Sequence, residues 1–194
     1  MDPFIKFNSI LSLYVKPNDI RALSHRWNEP HRQYHSIKHL IDVLKNVESN
    51  SMFEYLNVYE KHALLLAAFF HDAIYDPVLK NNEDASIQLF KSFFINDDPR
   101  MINTVSSIID CTKYRKRPYE NLYQILWDAD NKGFLQGYTI LLNNEHLIRK
   151  EYSHLSNEQY KKGRLEFLQT CLGTFNVNVD KNIKKLIEYV EKTY

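Results

Sequence analysis

Histidine and aspartate residues occur in this chain where they could bind a metal ion. His71 and Asp72 directly follow the run Ala63–Phe70, which is apolar on every side of a helix and so predicts a helix buried in the middle of a domain. A carboxylate at the end of such a helix is costly unless a cation or a metal ion compensates its charge. Asp72 therefore needs a partner, although an isolated His-Asp pair more often caps a helix and faces water.

A second polar group lies on a helix predicted over residues 35–48. Steps of about 100° per residue place His35, His39, Asp42 and Asn46 on one face of that helix, opposite its apolar stripe. Histidines at positions i and i+4 can converge on one ion. A solvated polar face would show the same pattern, so the spacing alone leaves both interpretations open.

Carboxylates also follow a third apolar segment, Ile125-Leu126-Trp127. Asp128 and Asp130 are two positions apart, and residues i and i+2 lie about 200° apart on a helix. Unless the helix has ended, only one of the two can reach a given site, and the spacing does not choose between them. Two imidazoles and two carboxylates together suit a divalent first-row metal ion with coordination positions open for water.

We expect helices to position these residues, because the chain has few of the glycines that strand-and-turn architectures use at their turns. Only four glycines occur in 194 residues, against a usual share of about 7%. The low glycine content therefore predicts an all-α fold, and the length of 194 residues predicts a single domain over residues 1–194. Apolar periodicity predicts helices over residues 5–15, 19–28, 35–48, 56–75, 83–95, 99–113, 119–131, 133–154, 156–174 and 179–193.

Charge and cysteine content limit the partners that we expect. Lys and Arg total 25 and Asp and Glu total 24, a net charge of +1, so no overall field draws the chain to nucleic acid or to an anionic membrane. The longest apolar run is shorter than the roughly 18 residues that span a bilayer, and two cysteines form no disulfide framework. We expect a cytoplasmic protein with no membrane or nucleic-acid partner, and the oligomeric state stays open.

The order His39, His71-Asp72, Asp130 resembles the metal set of the HD-superfamily metal-dependent phosphohydrolases. Six short motifs, in order over most of the chain, also resemble a bacterial group of predicted HD phosphohydrolases. These motifs are Trp27-x-x-Pro30-His31-Arg32-x-Tyr34-His35-x-x-x-His39, His71-Asp72-x-x-Tyr75-Asp76, Asn82-Glu83-x-x-Ser86, Asp128-Ala129-Asp130, Ile148-Arg149-x-Glu151-Tyr152 and Gly163-Arg164. The resemblance implies an HD-type helical bundle that binds one divalent ion (manganese, iron, nickel, cobalt, zinc or magnesium).

A second resemblance implies roles for individual residues. The segment Tyr34-His35-x-x-x-His39-x-x-Asp42-Val43 is similar to the signature of cyclic-nucleotide phosphodiesterases. That similarity implies that His39 binds the metal ion and that His35 protonates the leaving oxygen. In the same family the last ligand is the Asp of an Ala-Asp pair, which implies Asp130 rather than Asp128.

The chain departs from several HD enzymes in ways that narrow the expected reaction. Dinuclear members, including the oxygenases, supply extra histidines between the His-Asp pair and the final Asp, and this chain has none between Asp72 and Asp130. A second metal site built by protein ligands and an oxygenase reaction are therefore not expected, although Asp72 could bridge to a hydrated magnesium ion. Tyr75 stands where some HD nucleotidases carry a catalytic Glu, so their mechanism does not transfer directly.

The expected activity is that of a phosphomonoesterase or phosphodiesterase acting on a small phosphorylated molecule, with a nucleotide as the expected substrate. His39, His71, Asp72 and Asp130 are the expected metal ligands. The residues expected to act on the substrate are His35 or Glu83 for proton transfer, Arg32 for the phosphate, and Lys38, Tyr75 and Asp76 for further contacts. The alternative is a non-catalytic regulatory module of the HD fold that binds a metal ion or a nucleotide.

Two further charged groups receive structural interpretations. The basic cluster of Lys113, Arg115, Lys116 and Arg117 favours a solvated loop over a phosphate-binding rim. Arg149, Glu151 and Arg164 are expected to form a structural ion-pair network rather than to contact substrate.

Overall fold

The computed structural model describes residues 1–114 and 116–194, and they form helices joined by turns. The only β-type pairing within these residues is an isolated bridge between Val15 and Phe94. The predicted all-α fold class is confirmed. Within the same residues, no helix has both the length and the apolar character needed to cross a bilayer.

The chain groups into two compact units, the first formed by Met1–Tyr114 with Pro118–Asp130 and the second built on Asn131–Tyr194. Each unit has its own cluster of buried apolar side chains. The prediction of one domain over residues 1–194 stays a prediction.

Eight helices form the first unit within the described residues. They are α1 (Pro3–Lys6), α2 (Asn8–Leu11), α3 (Pro17–Trp27), α4 (Ile37–Glu48), α5 (Val58–Phe70), α6 (Asn82–Phe93), α7 (Pro99–Asp110) and α8 (Asn121–Asp130), with short 3-10 turns at Phe53–Tyr55 and Cys111–Lys113. The second unit contains α9 (Lys132–Leu135), α10 (Tyr138–Glu151), α11 (Asn157–Cys171) and α12 (Val177–Thr193).

Helix α5 is the centre of the first unit. It begins with a capping box, in which the Asn57 side chain accepts from the Glu60 N–H and the Glu60 carboxylate accepts from the Asn57 N–H, so that two N–H groups at the helix start are satisfied. Every residue from 63 to 70 is buried, as the apolar run predicts, and α5 packs against α4, α6, α7 and α8. The metal-ligand candidates that follow α5 are therefore delivered to the interior of the unit.

Several predicted helices are shorter than expected or are divided. The helix predicted over 56–75 ends at Phe70, and the helix predicted over 5–15 divides at Phe7, whose ring packs against the core ring of Phe69. The helix predicted over 133–154 divides before α10, because Gly137 adopts a φ of 88° that residues with a Cβ rarely take.

The start of α4 is a further correction that affects the site. The helix predicted over 35–48 begins at Ile37, because the backbone of Ser36 is extended, with φ −102° and ψ −179°. His35 therefore precedes the helix, whereas His39 lies in its first turn. The expectation that both histidines share one helical face is wrong, although both remain close to the same site.

We expect Leu66→Ala to lower the free energy of unfolding of the first unit by about 2–5 kcal/mol, because it leaves a cavity in a closely packed core. Trp27 and Trp127, the two tryptophans of the chain, are both buried in this unit, so tryptophan fluorescence during urea denaturation follows its unfolding. Leu13→Ala, at an exposed position, is the matched control and should cost less than about 0.5 kcal/mol. A Leu66→Ala protein as stable as the wild type would contradict the central position of α5.

Candidate metal centre

Three helices of the first unit bring together the four residues that the sequence predicts as metal ligands. His39 lies in the first turn of α4, His71 and Asp72 directly follow α5, and Asp130 is the last residue of α8. One ligand atom from each of the four lies within 4.8 Å of the others, and the group could hold a metal ion. Asp128, which spacing alone leaves as an alternative to Asp130, is not part of this group.

The distances within this cluster fit a single ion. His39 Nε2 lies 3.0 Å from Asp130 Oδ1 and 3.4 Å from His71 Nε2, and His71 Nε2 lies 3.3 Å from Asp72 Oδ2. The longer separations, His39 to Asp72 and His71 to Asp130, are both 3.7 Å. Imidazole and carboxylate atoms that each bind one ion at about 2.0–2.2 Å lie close together in this way.

A hydrogen bond to the backbone of α5 sets the orientation of His71. Its Nδ1 lies 2.8 Å from the carbonyl oxygen of Ala68, which can only accept, so Nδ1 carries a proton. The other nitrogen, Nε2, faces the cluster. Ligating histidines commonly have this arrangement, in which a backbone carbonyl fixes the tautomer and the orientation of the ring.

The position of Asp130 depends on contacts between α4 and α8. The side chain of Asn46, on the polar face of α4, donates from Nδ2 to the carbonyl oxygen of Ala129 at 3.3 Å. This bond ties the last turn of α8 to the helix that carries His39. The sequence placed Asn46 on the same face as His39, and the structure shows what that amide contacts.

Opposite charges within the cluster shift the pKa values of His71, Asp72 and Asp130. Burial disfavours the charged form of His71, but the charges of Asp72 and Asp130 outweigh that effect and raise the pKa of His71 to about 9. Burial likewise disfavours ionised Asp72, yet the His71 charge and hydrogen bond, with the charges of His35 and His39, hold the pKa of Asp72 well below its usual range. A hydrogen bond from His39 and the charges of both histidines lower the pKa of Asp130 despite its burial. Both carboxylates are therefore ionised at neutral pH, the form that binds a metal ion.

His35 lies beside the ligands in a group of aromatic rings. Its imidazole stacks on Tyr75 with ring centroids 4.0 Å apart, and its ring centroid lies 5.8 Å from that of His39. Tyr34 contacts both histidines, with centroid distances of 4.8 Å to His35 and 5.2 Å to His39. His35 is thus held next to the cluster without being a member of it.

Arg32, the residue expected to hold a phosphate, is buried with only 4% of its surface exposed. Its Nε donates to the Glu29 carboxylate, and its two terminal nitrogens donate to the backbone oxygens of His35, Asp72 and Ala73. Its guanidinium also packs near the rings of Trp27 and Tyr75. The guanidinium therefore contacts the framework around the cluster.

The other residues expected to contact substrate lie in different surroundings. Lys38 is 82% exposed and forms a surface ion pair with Asp42 at 2.7 Å. Asp76 is exposed, and its carboxylate accepts from the Val78 N–H. Glu83, in the first turn of α6, is partly buried. The structure tests neither the substrate contacts nor a proton-transfer role for Glu83, which stay predictions.

The charged groups away from the cluster form mostly structural contacts. Lys113 forms ion pairs with Asp84 and Asp110, while Arg115 lies outside the described residues. In the second unit, Arg164 pairs with Glu145, which is fully buried and which the sequence analysis did not single out. The same carboxylate accepts from the hydroxyl of Tyr160 at 2.6 Å.

Sequence reasoning assigned no role to three residues near the cluster, of which two support the backbone that carries it. Trp27 donates from its indole nitrogen to the carbonyl of Phe69, and the Ser86 hydroxyl accepts from the Ile74 N–H beyond Asp72. Both residues occur in the quoted motifs, but a motif does not state what a side chain contacts. Cys111 lies near Asp130, and burial together with that carboxylate raises the pKa of its thiol to about 12, so it is a neutral neighbour.

Comparisons of the chain with protein-family models, with curated proteins and with solved structures found no match. The resemblance to HD phosphohydrolases therefore rests on the motifs of this sequence. The structural feature from which a function can be argued is the cluster of His39, His71, Asp72 and Asp130, which could hold a metal ion.

Proposed function

We propose that this chain is a metal-dependent phosphohydrolase of the HD type that acts on a small phosphorylated molecule, with a nucleotide as the expected substrate. The observation that carries the proposal is the convergence of His39, His71, Asp72 and Asp130 within 4.8 Å. These residues come from three separate helices, and their order along the chain is the one that the HD resemblance implies. An accidental group of surface charges would not include two buried imidazoles.

The donor set fits a divalent transition-metal ion. Two imidazole nitrogens and two carboxylate oxygens suit manganese, iron, cobalt, nickel or zinc, and magnesium is the oxygen-preferring alternative. Such an ion lowers the pKa of water towards neutrality and polarises a phosphoryl oxygen. His39, His71, Asp72 and Asp130 would hold it.

Partial exposure of the cluster favours catalysis over a purely structural role. The side chains of His39 and His71 are 7% and 1% exposed, whereas those of Asp72 and Asp130 are 16% and 23% exposed. The cluster is therefore closed on its imidazole side and reached by solvent at its carboxylates. A catalytic metal site must let water and substrate reach the ion, and the exposed carboxylate side of the cluster allows that access.

His35 is the chain's candidate for proton transfer. Its ring is fixed by the stack on Tyr75 and lies beside His39, and histidine is the side chain that most often transfers protons in enzymes. We propose that the His35 imidazolium donates its proton to the leaving oxygen of the substrate. Glu83 is the second candidate, since it carries a carboxylate in the first turn of α6.

We expect the wild-type protein to hold about one divalent ion per chain, as isolated or after incubation with manganese, iron, nickel or zinc and desalting. Asp130→Asn should lose most of that ion, because it removes a charged ligand, while Asp128→Asn, the matched control, should retain it. Elemental analysis measures both. Less than about one-tenth equivalent in the wild type, or equal loss in the two variants, would contradict the site.

We expect metal-loaded protein to release phosphate or nucleoside from at least one member of a panel of nucleotides, cyclic nucleotides and sugar phosphates. Release should stop with chelator and return with added metal ion. Asp130→Asn protein, purified in parallel, controls for contaminating phosphatases. Full metal occupancy without any turnover would favour the regulatory module, and oxygen consumption coupled to ferrous iron would overturn the hydrolase.

His35→Ala and His39→Ala should fail in different ways. His39→Ala removes a ligand, so it should lower metal occupancy and abolish turnover with it. His35→Ala should retain the ion and lower turnover by about 10²–10⁴-fold, because a general acid contributes to the rate but not to metal binding. Metal analysis and kcat are measured on the same samples. An empty site in His35→Ala would contradict the ligand assignment. Undiminished turnover would show that His35 is not the general acid and would leave Glu83 or a water at the metal site as the proton donor.

A further inference from the structure

The end of α5 presents a set of backbone carbonyls that the helix itself cannot satisfy. The last four carbonyls of any helix lack intrahelical partners, and here the chain turns away at once to place His71 and Asp72. Ala67 and Phe70 accept from backbone N–H groups, those of His71 and Ala73. The remaining carbonyls around this turn need partners from other parts of the unit.

Side chains supply these partners: His71 of the cluster, Trp27 at the end of α3 and Arg32 in the segment between α3 and α4. The Ala68 carbonyl accepts from His71 Nδ1, and the Phe69 carbonyl accepts from the Trp27 indole at 2.9 Å. Arg32 completes the set, because Nη1 donates to the Asp72 carbonyl at 2.7 Å and Nη2 donates to the Ala73 carbonyl at 3.0 Å.

Arg32 also joins two separate parts of the cluster. The nitrogen that binds the Asp72 carbonyl, Nη1, binds the His35 carbonyl at 3.1 Å. One guanidinium thus fixes the turn that carries His71 and Asp72 relative to the segment that leads into α4 and His39. Glu29 orients the guanidinium through Nε at 3.0 Å.

We propose that Arg32 is a positioning residue, which sets the geometry of the metal ligands by holding the backbone on both sides of the cluster. This proposal deepens the proposed function and rests on its metal site. It assigns Arg32 a role other than the phosphate contact expected from the sequence. The positive charge also lies at the C-terminal end of α5, where the helix dipole favours a cation.

The chemistry of the guanidinium explains why lysine could not replace it. Four N–H groups point at four oxygens in fixed directions, and only the planar fork of arginine presents donors in this way. A lysine ammonium carries three donors on a single atom. It would keep the positive charge and could bind either the turn after α5 or the segment before α4, but it could not fix the two relative to each other.

The test compares Arg32→Lys with Arg149→Lys. Arg149 makes similar contacts in the second unit, where it donates to the backbone oxygens of Tyr152 and Leu155 and packs over Tyr160. None of these contacts is to a segment that carries a predicted metal ligand. Metal-free samples of both variants and of the wild type are titrated with Co²⁺. The dissociation constant, the visible absorption spectrum of bound Co²⁺ and the thermal midpoint of the metal-free protein are measured.

We expect Arg32→Lys to bind Co²⁺ about tenfold or more weakly, as is usual when a group that orients ligands is removed. The spectrum of bound Co²⁺ should also change, because the ligand geometry has changed. Arg149→Lys should match the wild type in both readouts, even where its thermal midpoint falls.

Wild-type affinity and spectrum in Arg32→Lys would overturn the proposal, whatever its thermal midpoint. If that variant also bound inorganic phosphate more weakly, Arg32 would be a substrate contact. If Arg32→Lys does not fold, Glu29→Ala decides, because it removes the partly exposed carboxylate that orients the guanidinium; unchanged Co²⁺ binding there overturns the proposal, and weaker binding supports it. A wild-type protein that binds no Co²⁺ would instead overturn the metal site itself.

Discussion

Two carboxylates converge at the interior end of α5, and much of the first unit is arranged to compensate their charge. Asp72 and Asp130 both lie within 3.7 Å of the imidazoles of His39 and His71. In low-dielectric surroundings, like charges this close are strongly unfavourable unless cations or a metal ion neutralise them. His71, whose pKa the two carboxylates raise to about 9, provides part of that neutralisation, and the proposed metal ion, bound by all four residues, would provide the rest.

The position of these carboxylates also explains why polar side chains from neighbouring segments reach the end of α5. The chain must turn abruptly after Phe70 to bring His71 and Asp72 into the cluster, and the turn exposes carbonyls within the unit. Trp27 and Arg32 satisfy them. A buried arginine is normally unfavourable, yet here the carbonyls and Glu29 accept from four of its N–H groups. The same contacts that stabilise the turn therefore also restrain the ligands.

Composition and periodicity predicted the all-α class and the buried helix α5, because these depend on local pattern. The resemblance to HD enzymes was needed to choose His39 and Asp130 as members of the cluster, since spacing alone left Asp128 open. Periodicity predicted that His35 lies on α4, because the spacing of apolar residues does not show that the backbone of Ser36 is extended. The position of Arg32 beside the two histidines predicts a phosphate contact, which stays a prediction, and gives no sign that the guanidinium is buried. Its burial depends on Trp27 and on the turn after α5, which only the tertiary structure reveals.

A metal site with a purely structural role needs only the ligands of the ion and the groups that orient those ligands. The first unit provides more than that. His35 is held beside the cluster by stacking on Tyr75, although it ligates nothing in the proposed set, and Asp72 and Asp130 keep part of their surface exposed. A purely structural metal site does not need an ordered imidazole beside the exposed carboxylates. Hydrolysis needs both a proton donor and access for water. These features support the proposed hydrolase over a module in which the metal ion is only structural, whereas a module that binds a nucleotide would need the same access.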